Sequence, residues 1–192
     1  MTMNNMEQKI YFSNALLNYE QSDEKFTLTG YAAHFGEANM NHERVAASSF
    51  AQCLKDREEG RHNIVVNYNH LSDVYGGVDE ITTDSTGLFV KAHLNTAIPF
   101  VRDNLIPNIL AGDIKSFSTE GVCPNGFDDI VYNERDDTYF VKNFYLLAVA
   151  VTPHPADWKS EFTVANAFKM FAKERMENEA RLYQSRRLLY FM

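Results

Sequence analysis

A chain of 192 residues, 45% of them hydrophobic, has the length for one domain with a short appendage and the apolar mass for a buried core. Its 26 acidic against 18 basic residues leave a net charge of −8, which excludes a nucleic-acid coat, because phosphate binding needs clustered Lys and Arg. No run of about 18 apolar residues is present to span a membrane, no His/Cys cluster has zinc spacing, and two cysteines, Cys53 and Cys123, form no disulfide framework and suit a reduced compartment.

In chain order, residues 1–8 are polar and expected to fray, and 9–19 alternate loosely as a first strand. The opening residues lack the basic stretch and apolar core of a signal peptide. Residues 25–35 alternate Phe26, Leu28, Tyr31 and Ala33 as a strand, with Gly30 as a kink or bulge. After a loop, 45–59 reads as a helix closed by Gly60. The β-branched run 63–68 predicts a buried strand, and 74–83 with 87–94 a hairpin-like pair around Asp84-Ser85-Thr86-Gly87. Residues 98–110 are helical, kinked or split at Pro107, with Gly112 beyond the end. Residues 114–123 form a strand and 124–128 a turn. Residues 130–132 and 139–151 are the last strands, and Pro153-His154-Pro155 ends the sheet.

From 161 the pattern changes to helical spacing (Phe162, Ala165, Phe168, Phe171, Met176), predicting one long amphipathic helix over 161–190 with an apolar tail. That helix either packs on the body of the protein, or docks a second copy or a scaffold, or is cleaved away. The fold class expected is α+β: a mostly antiparallel, partly closed β-barrel with flanking helices and a long C-terminal helix. The division is a barrel domain over 1–158 and a helix over 159–192.

Two segments carry the chemistry: Asn69-His70-Leu71-Ser72-Asp73 at the end of one strand, and Ser116-Phe117-Ser118-Thr119-Glu120-Gly121 within another. A serine needs a general base to become a nucleophile at neutral pH, and histidine is the usual one. Ser116 lies on the same strand face as Ser118 and is its rival. Gly76-Gly77 and the turn at Thr152-Pro153-His154 are candidate oxyanion donors, although Gly76-Gly77 reads better as turn glycines with positive φ. The acidic turns at Asp128-Asp129 and 134–137 lack a calcium-loop pattern and read as solvated loops.

The ordered set Gly30-Tyr31-Ala32-Ala33-His34-Phe35, Ser49-Phe50, His70 followed by Gly76, Gly87-Leu88-Phe89-Val90-Lys91, Gly112-Asp113-Ile114, the Ser118 segment and Val151-Thr152 with Pro155-Ala156 resembles the prohead (capsid maturation) serine proteases of tailed phages. Those are related in fold to the herpesvirus assemblins. The resemblance covers roughly residues 26–157. It implies Ser118 as nucleophile, since the family serine follows an apolar residue soon after the Gly-x-Ile turn, and His70 as general base. It also implies scaffold and major capsid protein as substrates, self-cleavage, no cofactor, no nucleic-acid or membrane partner, and a place in the host cytoplasm inside the immature capsid. A homo-oligomer through the C-terminal helix is a further expectation.

The chain departs from the family at two places. Glu120 stands where a glycine often follows the nucleophile. Ala148 stands where the final strand carries a glutamate that orients the histidine, and Ala150 falls where the next serine would be. The third member can then be a carboxylate, Glu120. It can also be a histidine, as in the assemblins, with His154, His93 and His34 available, or be missing altogether. An inactive protease-fold protein that assists capsid assembly by binding is the alternative function, and an unrelated β-barrel binding module a third.

Overall fold

The computed structural model describes residues 25–164. Ten strands and two helices occur among them: β1 (Lys25–His34), β2 (Glu43–Arg44), α1 (Ala51–Glu58), β3 (Val65–Tyr68), β4 (Gly76–Thr83), β5 (Gly87–Asn95), α2 (Ile106–Ala111), β6 (Ser116–Val122), β7 (Ile130–Asn133), β8 (Thr138–Val141), β9 (Tyr145–Thr152) and β10 (Phe162–Val164). Seven strands form one sheet in the order β10-β1-β5-β4-β3-β9-β6, and β2-β8-β7 form a second. The large sheet is antiparallel except for the β3–β9 pair, which is parallel.

The sheet curls until its edges meet at one end. Phe117 N–H donates to Ser160 O (2.8 Å), Phe162 N–H donates to Lys115 O (2.9 Å), and Ser116 bridges Glu161. This is the mostly antiparallel, partly closed barrel expected, with β3–β9 as the parallel pair of its large sheet. Strand alternation supplies the core: Phe26 and Leu28 of β1, Leu88, Val90 and Leu94 of β5, Val66 of β3, Phe117 of β6 and Val149 and Val151 of β9 are all fully buried. Phe50, at the start of α1, and Ile64, just before β3, complete it, also with no exposure.

Two local expectations change. The bulge in β1 falls between Tyr31 and Ala33 rather than at Gly30. Gly30 is needed because a Cβ there would collide with the Glu161 carbonyl where β10 crosses. Pro107 splits the helical stretch as expected: a π-type turn over Val101–Leu105 precedes it and α2 (Ile106–Ala111) carries it in its first turn. Gly76 and Gly77 are not positive-φ turn glycines. They open β4, and a side chain at Gly76 would strike the His93 carbonyl of β5.

The helix expected from residue 161 gives way, over its first residues, to β10, which pairs with β1 beyond the expected end of the sheet. Phe162 suits a helical spacing and a strand slot equally, and packing decides: its ring lies 4.9 Å from that of Phe117. The remainder of that helix, and the strand expected over 9–19, lie outside the described residues.

Candidate active site

Strand β9 lies between β3 and β6, and the register aligns three side chains across the sheet. Ala150 is opposite Asn67 on β3 and opposite Ser118 on β6, while Ala148 is opposite Val65 and Glu120. Because residues two apart share a face, Ser118 and Glu120 stand on one side with Asn67, over a floor of Ala148 and Ala150. Phe117, Val149, Val151 and Val66 point to the core on the other side. Ser118 is 6% exposed, within reach of a ligand in the cleft but held by its strand.

His70 leaves β3 through a tight turn. Asn69 and His70 both have positive φ (52° and 60°), and Leu71 N–H donates back to Tyr68 O (3.1 Å), the pattern of a type I′ turn. Asparagine and histidine are both enriched among the non-glycine residues found in this region, but it is an uncommon conformation that surrounding structure must enforce. Two contacts from β9 do so: Asn69 N–H donates to Val151 O (3.1 Å), and the buried Thr152 hydroxyl donates to Asn69 Oδ1 (2.9 Å).

The Glu120 carboxylate meets the histidine. Glu120 Oε2 is 3.4 Å from His70 Nδ1 and accepts a hydrogen bond from Asn67 Nδ2 at 2.7 Å. Ala148 leaves the adjacent β9 position empty of a carboxylate, and its direct cross-strand partner Glu120 puts one into the same neighbourhood. Among the described residues no hydrogen bond joins the Ser118 hydroxyl to the His70 ring. Such contacts often tighten only when substrate is bound. Asn67 is the residue that reading the sequence missed. Its signal there, a lone amide in the apolar run 64–68, is visible only as an exception to the run.

The rival residues are engaged elsewhere. Ser116, 4% exposed, sits at the stitched end of the barrel and does not line the cleft. The His93 ring, on β5, pairs with Asp79 (2.8 Å) outside the cleft. His34 lines the cleft, but its Nδ1 pairs with Asp157 Oδ2 at 2.8 Å. Burial pushes the Asp157 carboxyl up, but hydrogen bonds from His34 and the Lys159 N–H outweigh it and hold it below its ordinary value. His154 is exposed at the rim, and its backbone N–H donates to Thr152 Oγ1 (3.1 Å), so that amide is not free for an oxyanion. Cys123 also lines the cleft, but burial, with the Asp129 and Glu43 charges nearby, pushes its thiol pKa up, away from a thiolate nucleophile.

The cleft measures about 770 Å³ and runs past Ser118, His70 and Glu120 between the barrel and the segment Pro153–Lys159. That segment is tied down by the His34–Asp157 pair, by Lys159 on Glu37, and by Met40 N–H on Ala156 O (2.8 Å). Among the described residues no group of three or more His, Cys, Asp or Glu is placed to hold a metal ion.

A family model described as caudovirus prohead serine protease matches residues 14–175. No curated protein matches the chain. Among solved structures, the varicella-zoster virus protease is similar with a TM-score of 0.44 and 16% identity, over 73% of this chain and 64% of that one. The bacteriophage T4 capsid assembly protease has a TM-score of 0.48 and 14% identity, over 66% and 80%. The KSHV protease, solved with a hexapeptide phosphonate inhibitor, has 0.47 and 8%, over 74% and 65%. The chain therefore spans just under two thirds of the two herpesvirus proteins.

Proposed function

The chain belongs to the caudovirus prohead serine protease family, and from that premise we propose that it is a serine endopeptidase using Ser118 as nucleophile, His70 as general base and Glu120 as the carboxylate that orients the histidine. One observation carries the reading: a carboxylate on the strand of the candidate nucleophile lies 3.4 Å from Nδ1 of the candidate base. With Nδ1–H turned to Glu120, Nε2 is the nitrogen left to serve the serine.

In the proposed cycle Nε2 takes the Ser118 proton as Oγ adds to the scissile carbonyl carbon. The tetrahedral intermediate collapses as the imidazolium returns that proton to the leaving amine, which leaves an acyl-serine. Water, deprotonated by the same nitrogen, then hydrolyses the ester and restores the hydroxyl. Glu120 stabilises the imidazolium formed twice in the cycle. The proposed substrates are the scaffold, extensions of the major capsid protein, and the protease itself, inside the immature capsid.

The test is intact-mass spectrometry of the protein co-expressed with its capsid and scaffold proteins, unaltered and as Ser118→Ala. Discrete products that vanish in the variant are expected. Products that persist in Ser118→Ala would overturn the nucleophile. Intact masses in both, with a prohead assembled, would favour a barrel that acts by binding alone.

A further inference from the structure

Asn67 breaks the rule of its strand. It is 4% exposed, in a run whose neighbours Ile64 and Val66 are fully buried, and its Oδ1 is buried with no hydrogen-bond partner. A buried acceptor left unpaired costs stability, and a leucine, branched alike though larger, would carry no such cost. Only the other end of the amide is used. An ionised carboxylate accepts and does not donate, so the group facing Glu120 Oε2 at 2.7 Å is the NH2. The same oxygen faces His70 Nδ1. Asn67 lies on β3, Glu120 on β6, and β9 runs between them, carrying only alanines at the two positions beneath. Strands lie about 4.8 Å apart, so a side chain can reach across the intervening strand only where that strand carries small residues.

We propose that Asn67 is a positioning residue that holds the Glu120 carboxylate across β9 in the orientation that receives His70 Nδ1–H. The inference rests on the triad reading above. Glu120 is a long side chain on an edge strand, about two fifths exposed, and without a fixed partner it loses rotamer entropy to reach the histidine. The Asn67 hydrogen bond supplies that restraint. The orphaned Oδ1 follows from it, because an amide that presents NH2 to the carboxylate turns its oxygen the other way, where it is buried without a partner. Ala148 and Ala150 gain a role as well, since larger side chains there would fill the path of the amide.

The experiment follows labelling of Ser118 by a fluorophosphonate, read as the mass of the Ser118 peptide from the full chain. It compares the unaltered protein, Asn67→Leu, Glu120→Gln and the double variant, with Asn67→Ala as a second replacement and 15N shifts of the His70 ring as an independent readout. Hydrogen bonds to charged groups are typically worth enough to predict about tenfold slower labelling for Asn67→Leu, with a melting temperature unchanged or raised. Glu120→Gln should slow labelling further, and the double variant should match Glu120→Gln alone, because the amide acts through the carboxylate. The Nδ1–H tautomer of His70 should lose population in Asn67→Leu.

Labelling of Asn67→Leu at the unaltered rate, or losses that multiply in the double variant, would overturn the inference. So would unfolding of both Asn67 variants. If Ser118 of the unaltered protein takes no label, the triad reading fails, and the tautomer then decides for Asn67: an unchanged Nδ1–H population in Asn67→Leu removes it too.

Discussion

The turn that presents His70 makes a prediction whose sign is opposite to the usual one. Asn69 holds φ at 52° and receives the Thr152 hydroxyl on Oδ1. Asn69→Ala forces a Cβ-bearing residue with no polar side chain into the left-handed region, at a cost of roughly 1 kcal/mol beyond asparagine's, since the full penalty for an L-residue is about 1–2 kcal/mol. It also deletes a hydrogen bond with a net worth of about 1 kcal/mol. The sum is about 2 kcal/mol. Asn69→Gly loses the same bond but has no steric penalty at positive φ, and gains only unfolded-chain entropy of about 0.4–1 kcal/mol, part of which the relief of asparagine's own strain offsets. Its expected cost is about 1 kcal/mol. Glycine should therefore be the more stable replacement, although in an ordinary strand alanine is preferred. Urea unfolding with an m-value of about 2 kcal/mol/M would separate the two midpoints by roughly 0.5 M. Equal midpoints, or alanine above glycine at constant m, would refute the idea that the backbone at residue 69 positions the histidine.

Two further predictions concern the carboxylates. Glu120 and Ala148 are direct cross-strand partners with Cβ atoms expected about 5 Å apart. Moving the carboxylate in Glu120→Ala/Ala148→Glu should therefore recover at least tenfold of the Ser118 labelling rate lost in Glu120→Ala, and no recovery would show that the carboxylate must come from β6. Asp56 is bound by Arg61, Gln52 and Tyr145, and the Arg61 hydrogen bond leads in lowering its carboxyl from the ordinary 3.8 to about 2. A group whose folded pKa is depressed contributes stability above its unfolded pKa and loses it as pH falls through the folded one. Denaturant midpoints of the unaltered protein should thus fall between pH 4 and about 2 more steeply than those of Asp56→Asn, and parallel curves would count against the network.

Much of the scaffold was legible from local pattern. The β-branched run ending at Tyr68 became β3, the Asp84–Gly87 turn joined β4 and β5, and the helix closed at Gly60, whose φ is 73°. Pattern failed where two structures share one periodicity. Phe162 fitted a helix face and a strand slot equally, and only the free edge of β1 at Gly30 and the Phe117 ring chose between them. The largely apolar run over 139–151, which reads as one strand, splits into β8 and β9 in different sheets, because strand pairing rather than composition sets which partner each half meets.

For the site, residue type and order along the chain sufficed to single out Ser118, His70 and Glu120 as candidates. Reactive side chains must sit at strand ends and edges, and those positions leave a mark in the sequence. Which of Glu120, His34, His93 and His154 stands beside His70 was decided by the tertiary structure alone. The choice depends on lateral register: Glu120 is opposite Ala148, His93 is committed to Asp79 and His34 to Asp157. Register between strands far apart in the chain arises from burial summed over whole faces, and no short segment encodes it. The same reason hides Asn67, 53 residues from its carboxylate partner, until β9 brings the two strands to either side of its alanines.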